Sequence, residues 1–111
     1  MHQIADALEP YLRVIVERFH PEKIILFGSQ ASGTPDAHSD VDLLIVRVGI
    51  TSELASNLEI RRAFREVEGA NLSFTLLSKT PERMANRLAA QSPFYREIVQ
   101  RGLTLHEVGI Y

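Results

Sequence analysis

Two short apolar runs, residues 23–27 (KIILF) and 41–48, enclose a segment rich in Gly, Ser, Thr, Pro and Asp. Runs this short and this apolar read as buried strands, and the segment between them, 28–39, reads as their loop. The loop opens on Gly28-Ser29 and closes on Asp40-Val41-Asp42. Residues two apart on a strand project to the same side, with Cα atoms about 6.5–7 Å apart. Asp40 and Asp42 therefore face one volume, together with Leu44. Two carboxylates that close are unfavourable unless a positive charge sits between them. Mg2+ is the natural occupant, because it takes one or two carboxylates plus substrate phosphates. Gly28 directly follows a strand, where the backbone must turn sharply and a ligand can approach it closely. Ser29 adds a hydroxyl, and successive amides in such a turn can form an anion-binding nest. On the residues alone, a plain structural turn and a solvated loop-to-strand junction are alternative readings of the two halves.

Two other loop chemistries are excluded by position. Gly28 and Gly33 have the spacing of a P-loop, but Thr34 stands where the lysine is required. Asp36, His38, Asp40 and Asp42 alternate as in a calcium loop, but Val41 and Arg47 occupy the places of its glycine and glutamate.

The chain has 111 residues, which predicts one domain spanning 1–111 with one core. Apolar residues make up 45% of it, enough for that core. The net charge is -2 and no Lys/Arg block occurs, which argues against direct nucleic-acid binding. Cysteine is absent, so disulfides and thiolate metal sites are excluded. No apolar run approaches the roughly 18 residues of a membrane span, and no secretion signal is read at the N-terminus. A cytoplasmic protein is expected.

Ile4, Leu8, Leu12, Ile15 and Phe19 follow helical spacing, with a kink or restart expected at Pro10 and an end at His20-Pro21. A helix capped by Thr51 or Ser52 is expected to run to about residue 68, with Leu54, Leu58, Phe64 and Val67 inward. A third strand is read over 72–77. Thr80-Pro81-Glu82 and Ser92-Pro93 start two further helices, the second ending at Gly102 before a strand over 103–108. The order α-β-β-α-β-α-α-β predicts a small α+β (α/β) single domain, a mixed sheet flanked by helices. Phe94 and Ile98 are assigned to the core, and Tyr95 and Val99 to a candidate exposed patch. His38 is read as a solvated loop histidine, and Arg61, Arg62 and Arg65 as a solvated helix face.

The run KIILFGSQASGTPDAHSDVDLLIV resembles the nucleotidyltransferase core of the DNA polymerase β superfamily, whose signature is G-S, about ten residues, then D-x-D. In length the chain resembles the minimal nucleotidyltransferases of that superfamily. Pro21-Glu22-Lys23, Thr80-Pro81-Glu82 and Arg101-Gly102-Leu103-Thr104-Leu105 resemble its flanking segments. The resemblance implies that Gly28 and Ser29 bind the triphosphate of ATP and that Asp40 and Asp42 hold Mg2+ as catalytic ligands. It also implies a partner. Minimal nucleotidyltransferases are commonly paired with a helical HEPN-type toxin, as its antitoxin in a hetero-oligomer, and some transfer AMP to it.

The chain departs from the family pattern at one catalytic position. The family carries a third carboxylate on the later strand, and counting back from Pro81 places it at Thr75, or at Ser73 in a register slipped by two. A hydroxyl is a poor Mg2+ ligand and no general base at neutral pH. Glu66 and Glu68 lie close in sequence, at the end of the preceding helix. The turn also lacks arginines that the family often has, with Gln30 and Ser32 in their places. Two functions are therefore expected as alternatives: an adenylyltransferase acting on a protein hydroxyl, or a catalytically weak module that neutralises its partner by binding it.

Overall fold

A computed structural model describes residues 3–28, 31, 40–69 and 72–108, with the backbone alone for 3–5. In chain order the elements are α1 (Gln3–Phe19), β1 (Lys23–Phe27), β2 (Val41–Val46), α2 (Glu53–Ala63) continued by a 3-10 turn (Phe64–Glu66), β3 (Phe74–Lys79), α3 (Pro81–Ala89), α4 (Pro93–Arg101) and β4 (Leu103–Glu107). The strands form one mixed sheet in the order β3-β2-β1-β4. β1 is antiparallel to both β2 and β4, and β2 is parallel to β3. The parallel pair needs a crossover, which α2 provides. The expected α+β architecture is the observed one.

Strand alternation sorts the core into two layers. Ile24 and Leu26 of β1, Val41, Leu43 and Ile45 of β2, and Phe74 and Leu76 of β3 point to one face. Leu8, Tyr11 and Ile15 of α1, with Ile60 and Phe64, cover that face. Tyr11, Phe64 and Phe74 pack as an aromatic triad with centroid separations of 5.0, 4.8 and 4.6 Å. The other face carries Ile25, Leu44 and Val46 under Met84 of α3 and Ile98 of α4. Both faces are covered, so the apolar filling of β2 reflects helices on two sides.

Several boundaries follow the predicted chemistry. Ser52 caps α2, its hydroxyl accepting from the Ala55 amide at 3.1 Å, and Thr80 caps α3 in the same way through Arg83. His20 takes φ 49°, so α1 ends on a left-handed residue just before Pro21. α1 nevertheless runs through Pro10 as one helix with no restart.

Other expectations fail for a geometric reason. Leu54 and Leu58 are exposed, and α2 buries Ser56, Ile60 and Ala63. At 3.6 residues per turn, Leu58 and Phe64 cannot share a face, since six residues turn the helix by about 240°. Ser56 is buried because it is hydrogen-bonded: Arg47 Nη1 donates to its Oγ at 2.7 Å, and it bonds Ser78 Oγ at 2.8 Å. α2 also closes at Ala63 rather than near residue 68, tightening into the 3-10 turn. β2 stops at Val46, two residues early, and β3 is displaced two residues later than expected, ending at Lys79. Lys79 is buried there and paired with Glu53 of α2 at 2.7 Å. Its aliphatic stem and its partner let a charged residue continue the strand.

Gly102 fixes how α4 returns to the sheet. A Cβ at this position would collide with the Ile98 carbonyl and the Ile25 side chain, and would press on the Leu26 carbonyl at 3.0 Å. Backbone atoms cannot rotate away, so the helix end must retreat from β1. Gly102→Ala is expected to cost about 1–3 kcal/mol, the usual range for overpacking. Urea denaturation of the two proteins checks it: the midpoint should fall, and an unchanged midpoint would mean that this junction is looser than described.

Candidate active site

Asp42 stands where the second core layer stops being apolar. In register it lies between Phe27 of β1 and Thr75 of β3. Its row along β2 continues through Leu44 and Val46, both buried. Asp42 is thus anchored by a rigid strand at the rim of the core, partly exposed, while Asp40 just before the strand is exposed.

Gly28 comes to the same point from β1. Its φ is +76°, in the region that favours glycine, and a Cβ there would collide with the Asp42 carboxylate. The Gly28 backbone therefore lies against Asp42, closer than any side chain would allow. Its carbonyl accepts from the Ala31 amide at 3.1 Å. Ser29, Gln30, Ser32 and His38 lie outside the described residues, so the predicted role of Ser29 has no structural description.

Thr75 occupies the place next to the aspartates. It is the registered partner of Asp42, and its hydroxyl donates to Asp40 Oδ2 at 3.4 Å. That distance is long for such a bond. The same hydroxyl also favours the ionised form of Asp42. One proton serves one carboxylate at a time, so Thr75 relieves the pair only in part. Burial is the largest influence on Asp42, and with the charge of Asp40 it outweighs Thr75, so the Asp42 carboxyl titrates above its ordinary value. Ionised, this pair is held in a state that a cation would relieve.

The donor set fits one Mg2+ shared with substrate phosphates, the mode in which one or two protein carboxylates suffice. It does not extend further. Among the described residues no group of three or more His, Cys, Asp or Glu side chains is placed to hold a metal. Glu66, one of the two acids close in sequence, is ion-paired with Arg18.

Beside Asp42 opens a cleft of about 590 Å³. Gly28, Ala31 and Asp42 line one wall, and Phe94, Glu97 and Arg101 of α4 line the other. Phe94 is not in the core as the sequence suggested. It is half exposed, stacked edge-on against Phe27 with centroids 5.9 Å apart. Ile98 is buried as expected and Val99 is exposed. Glu97 and Arg101 carried no site expectation. The spacing 94, 97, 98, 101 is the helical signal that would have found them, since it marks one stripe. Arg61, read as solvated, donates to the Phe74 carbonyl at 2.9 Å and secures the start of β3.

A family model described as "Nucleotidyltransferase domain" matches residues 9–84 of the chain. The chain belongs to the nucleotidyltransferase domain family. The match runs from α1 through β1, the turn, both aspartates and β3 into α3, and so contains every first-wall residue of the cleft. A crystal structure of a provisionally assigned nucleotidyltransferase from Sulfolobus solfataricus shares the fold, with a TM-score of 0.52 over 96% of this chain and 89% of that one, at 19% identity. No curated protein matches the chain. As a nucleotidyltransferase domain, the chain has Asp42 near the start of β2 at the cleft, Asp40 just before that strand, and Gly28 directly after β1.

Proposed function

We propose that this nucleotidyltransferase domain transfers AMP from ATP, with Mg2+, to a hydroxyl of a protein partner in the cytoplasm, the partner being a helical HEPN-type toxin that it neutralises as antitoxin. The observation that carries the chemistry is the apposition of the Gly28 backbone and the Asp42 carboxylate, with Asp40 beside them. A triphosphate brings its anionic oxygens where a glycine lets the backbone approach, and the cation that it carries meets two carboxylates. Bound there, Mg2+ would withdraw charge from the reacting phosphate and from the departing pyrophosphate. Asp40 and Asp42 would hold it, and the strand β2 would keep the two fixed relative to Gly28. The rim position of Asp42 excludes water from one side of the pair, which strengthens each charge interaction.

The acceptor assignment has different support: the resemblance of the chain to minimal nucleotidyltransferases, which work on a partner protein. A second reading is favoured by one residue. Thr75 stands beside the aspartates without an acid's ability to take the proton of the attacking hydroxyl. A domain with that gap can bind its partner and still transfer slowly or not at all.

One assay separates the two. Purified protein, labelled ATP, Mg2+ and a HEPN-type partner are combined, and label on the partner is followed. Label retained on the partner is the expected result. A stable complex that never acquires label would leave binding as the function and remove the transferase reading.

A further inference from the structure

The wall of the cleft opposite Asp42 is a single stripe of α4. Phe94, Glu97, Ile98 and Arg101 stand at i, i+3, i+4 and i+7 and all line the cavity. Ile98 is 3% exposed and seats the stripe on Ile25 and Leu44. Phe94 is 49% exposed, an aromatic ring left half open in the cleft that Asp42 lines. Glu97 precedes Arg101 by four residues, the order that favours an ion pair on a helix. Among the described residues, however, neither forms one. Arg101 is also the one basic side chain that lines this cleft among the described residues.

The charges matter because the first wall is acidic. Asp42 on that wall, with Asp40 just before β2, repels a triphosphate unless cations intervene, and the sequence has neutral Gln30 and Ser32 after Gly28. Arg101 supplies positive charge from across the cleft. The volume of about 590 Å³ exceeds what a triphosphate alone would fill and lies within the range of roughly 300–1,000 Å³ common for small-molecule sites. An exposed ring in such a space is a stacking platform, and every nucleobase has a π-face to offer it.

We propose that this face of α4 is the nucleotide-recognition wall: Phe94 stacks on the base, Arg101 counters the triphosphate, and Glu97 accepts from ribose hydroxyls. The inference rests on the reading of the Gly28–Asp42 cleft as a nucleotide site. The last helix, α4, thereby reads the part of the substrate that the aspartates do not touch.

Calorimetric titration with two probes tests it, Mg2+–ATP and Mg2+–tripolyphosphate, the second having phosphates and no nucleoside. Phe94→Ala should weaken ATP roughly tenfold or more and leave tripolyphosphate unchanged. Arg101→Gln should weaken both probes about tenfold, with Arg101→Lys recovering part of the loss. ATP affinity unchanged in either variant would overturn the assignment while leaving the nucleotide site in place. Equal weakening of both probes by Phe94→Ala would mean damage to the helix and would overturn it too. If the unmodified protein binds neither probe, the nucleotide reading fails, and this inference with it.

Discussion

Asp42→Asn should reduce nucleotidyl transfer by about 10³-fold or more and leave the protein folded. The size follows from what the residue would hold. A catalytic metal contributes several kcal/mol of transition-state charge stabilisation, and each 1.36 kcal/mol is a factor of ten in rate. Asparagine keeps the shape of the side chain and one acceptor oxygen but removes the charge that would secure the ion. The stability half of the expectation comes from the titration of Asp42. Its folded-state value lies above the ordinary carboxyl value of 3.8, through burial first and the neighbouring Asp40 as well. An acid whose value is raised on folding binds its proton more tightly in the folded state. Its contribution is full below the unfolded value and is lost as pH rises through the folded one. At neutral pH the ionised Asp42 is therefore a burden on the ligand-free fold, and Asn at this place removes it. The variant should melt no lower than the parent without nucleotide. Mg2+–ATP is expected to raise the melting temperature of the parent, and the variant should lose that rise. Scanning calorimetry with and without Mg2+–ATP, beside the labelled-ATP assay, reads both halves. A variant that melts early would assign Asp42 to the fold, and one that transfers normally would take it out of the chemistry.

How far such a site is legible in sequence depends on whether its parts are local. Gly28, Asp40 and Asp42 fall within fifteen residues, and their strand periodicity fixes which way they point. Their convergence follows from β1 and β2 pairing antiparallel across the loop that joins them, so that Phe27 meets Asp42. Thr75 lies far along the chain, and only the family pattern counted back from Pro81 pointed to it, with Ser73 left as the alternative; the pairing of β2 with β3 sets Thr75 beside Asp42. The α4 wall was harder to see. Phe94 reads as core by composition, and only the position of α4 across the sheet leaves it half exposed. The same limit explains α2. Leu54 and Leu58 read as inward because they are apolar, whereas the buried stripe is set by Ser56, which finds Ser78 and Arg47 only in three dimensions. Residue type predicts burial well when the partners are apolar and poorly when a hydrogen-bond network decides the face.

Thr75→Asp should raise transfer by about 10²- to 10⁴-fold, the usual value of general-base assistance. Thr75 is exposed and registered directly against Asp42, so a carboxylate there needs no new space in the core. Its hydroxyl is 3.4 Å from Asp40 Oδ2, and a longer acid side chain would bring a third negative group to the same rim. Without metal, that group adds repulsion to a pair already unfavourable, so the ligand-free variant should melt slightly lower than the parent. With Mg2+ the order should reverse, because three carboxylates hold the ion more tightly than two. Thr75→Asn separates charge from size: it has nearly the shape of aspartate and should give neither the gain in rate nor the gain in Mg2+ stabilisation. Single-turnover transfer at saturating ATP, measured for the parent and both variants, decides the matter. If Thr75→Asp still binds ATP but transfers no faster than Thr75→Asn, the proton of the attacking hydroxyl is taken elsewhere, and the partner protein becomes the place to look for the missing base. If aspartate alone restores rate, the parent is a nucleotidyltransferase slowed at one position.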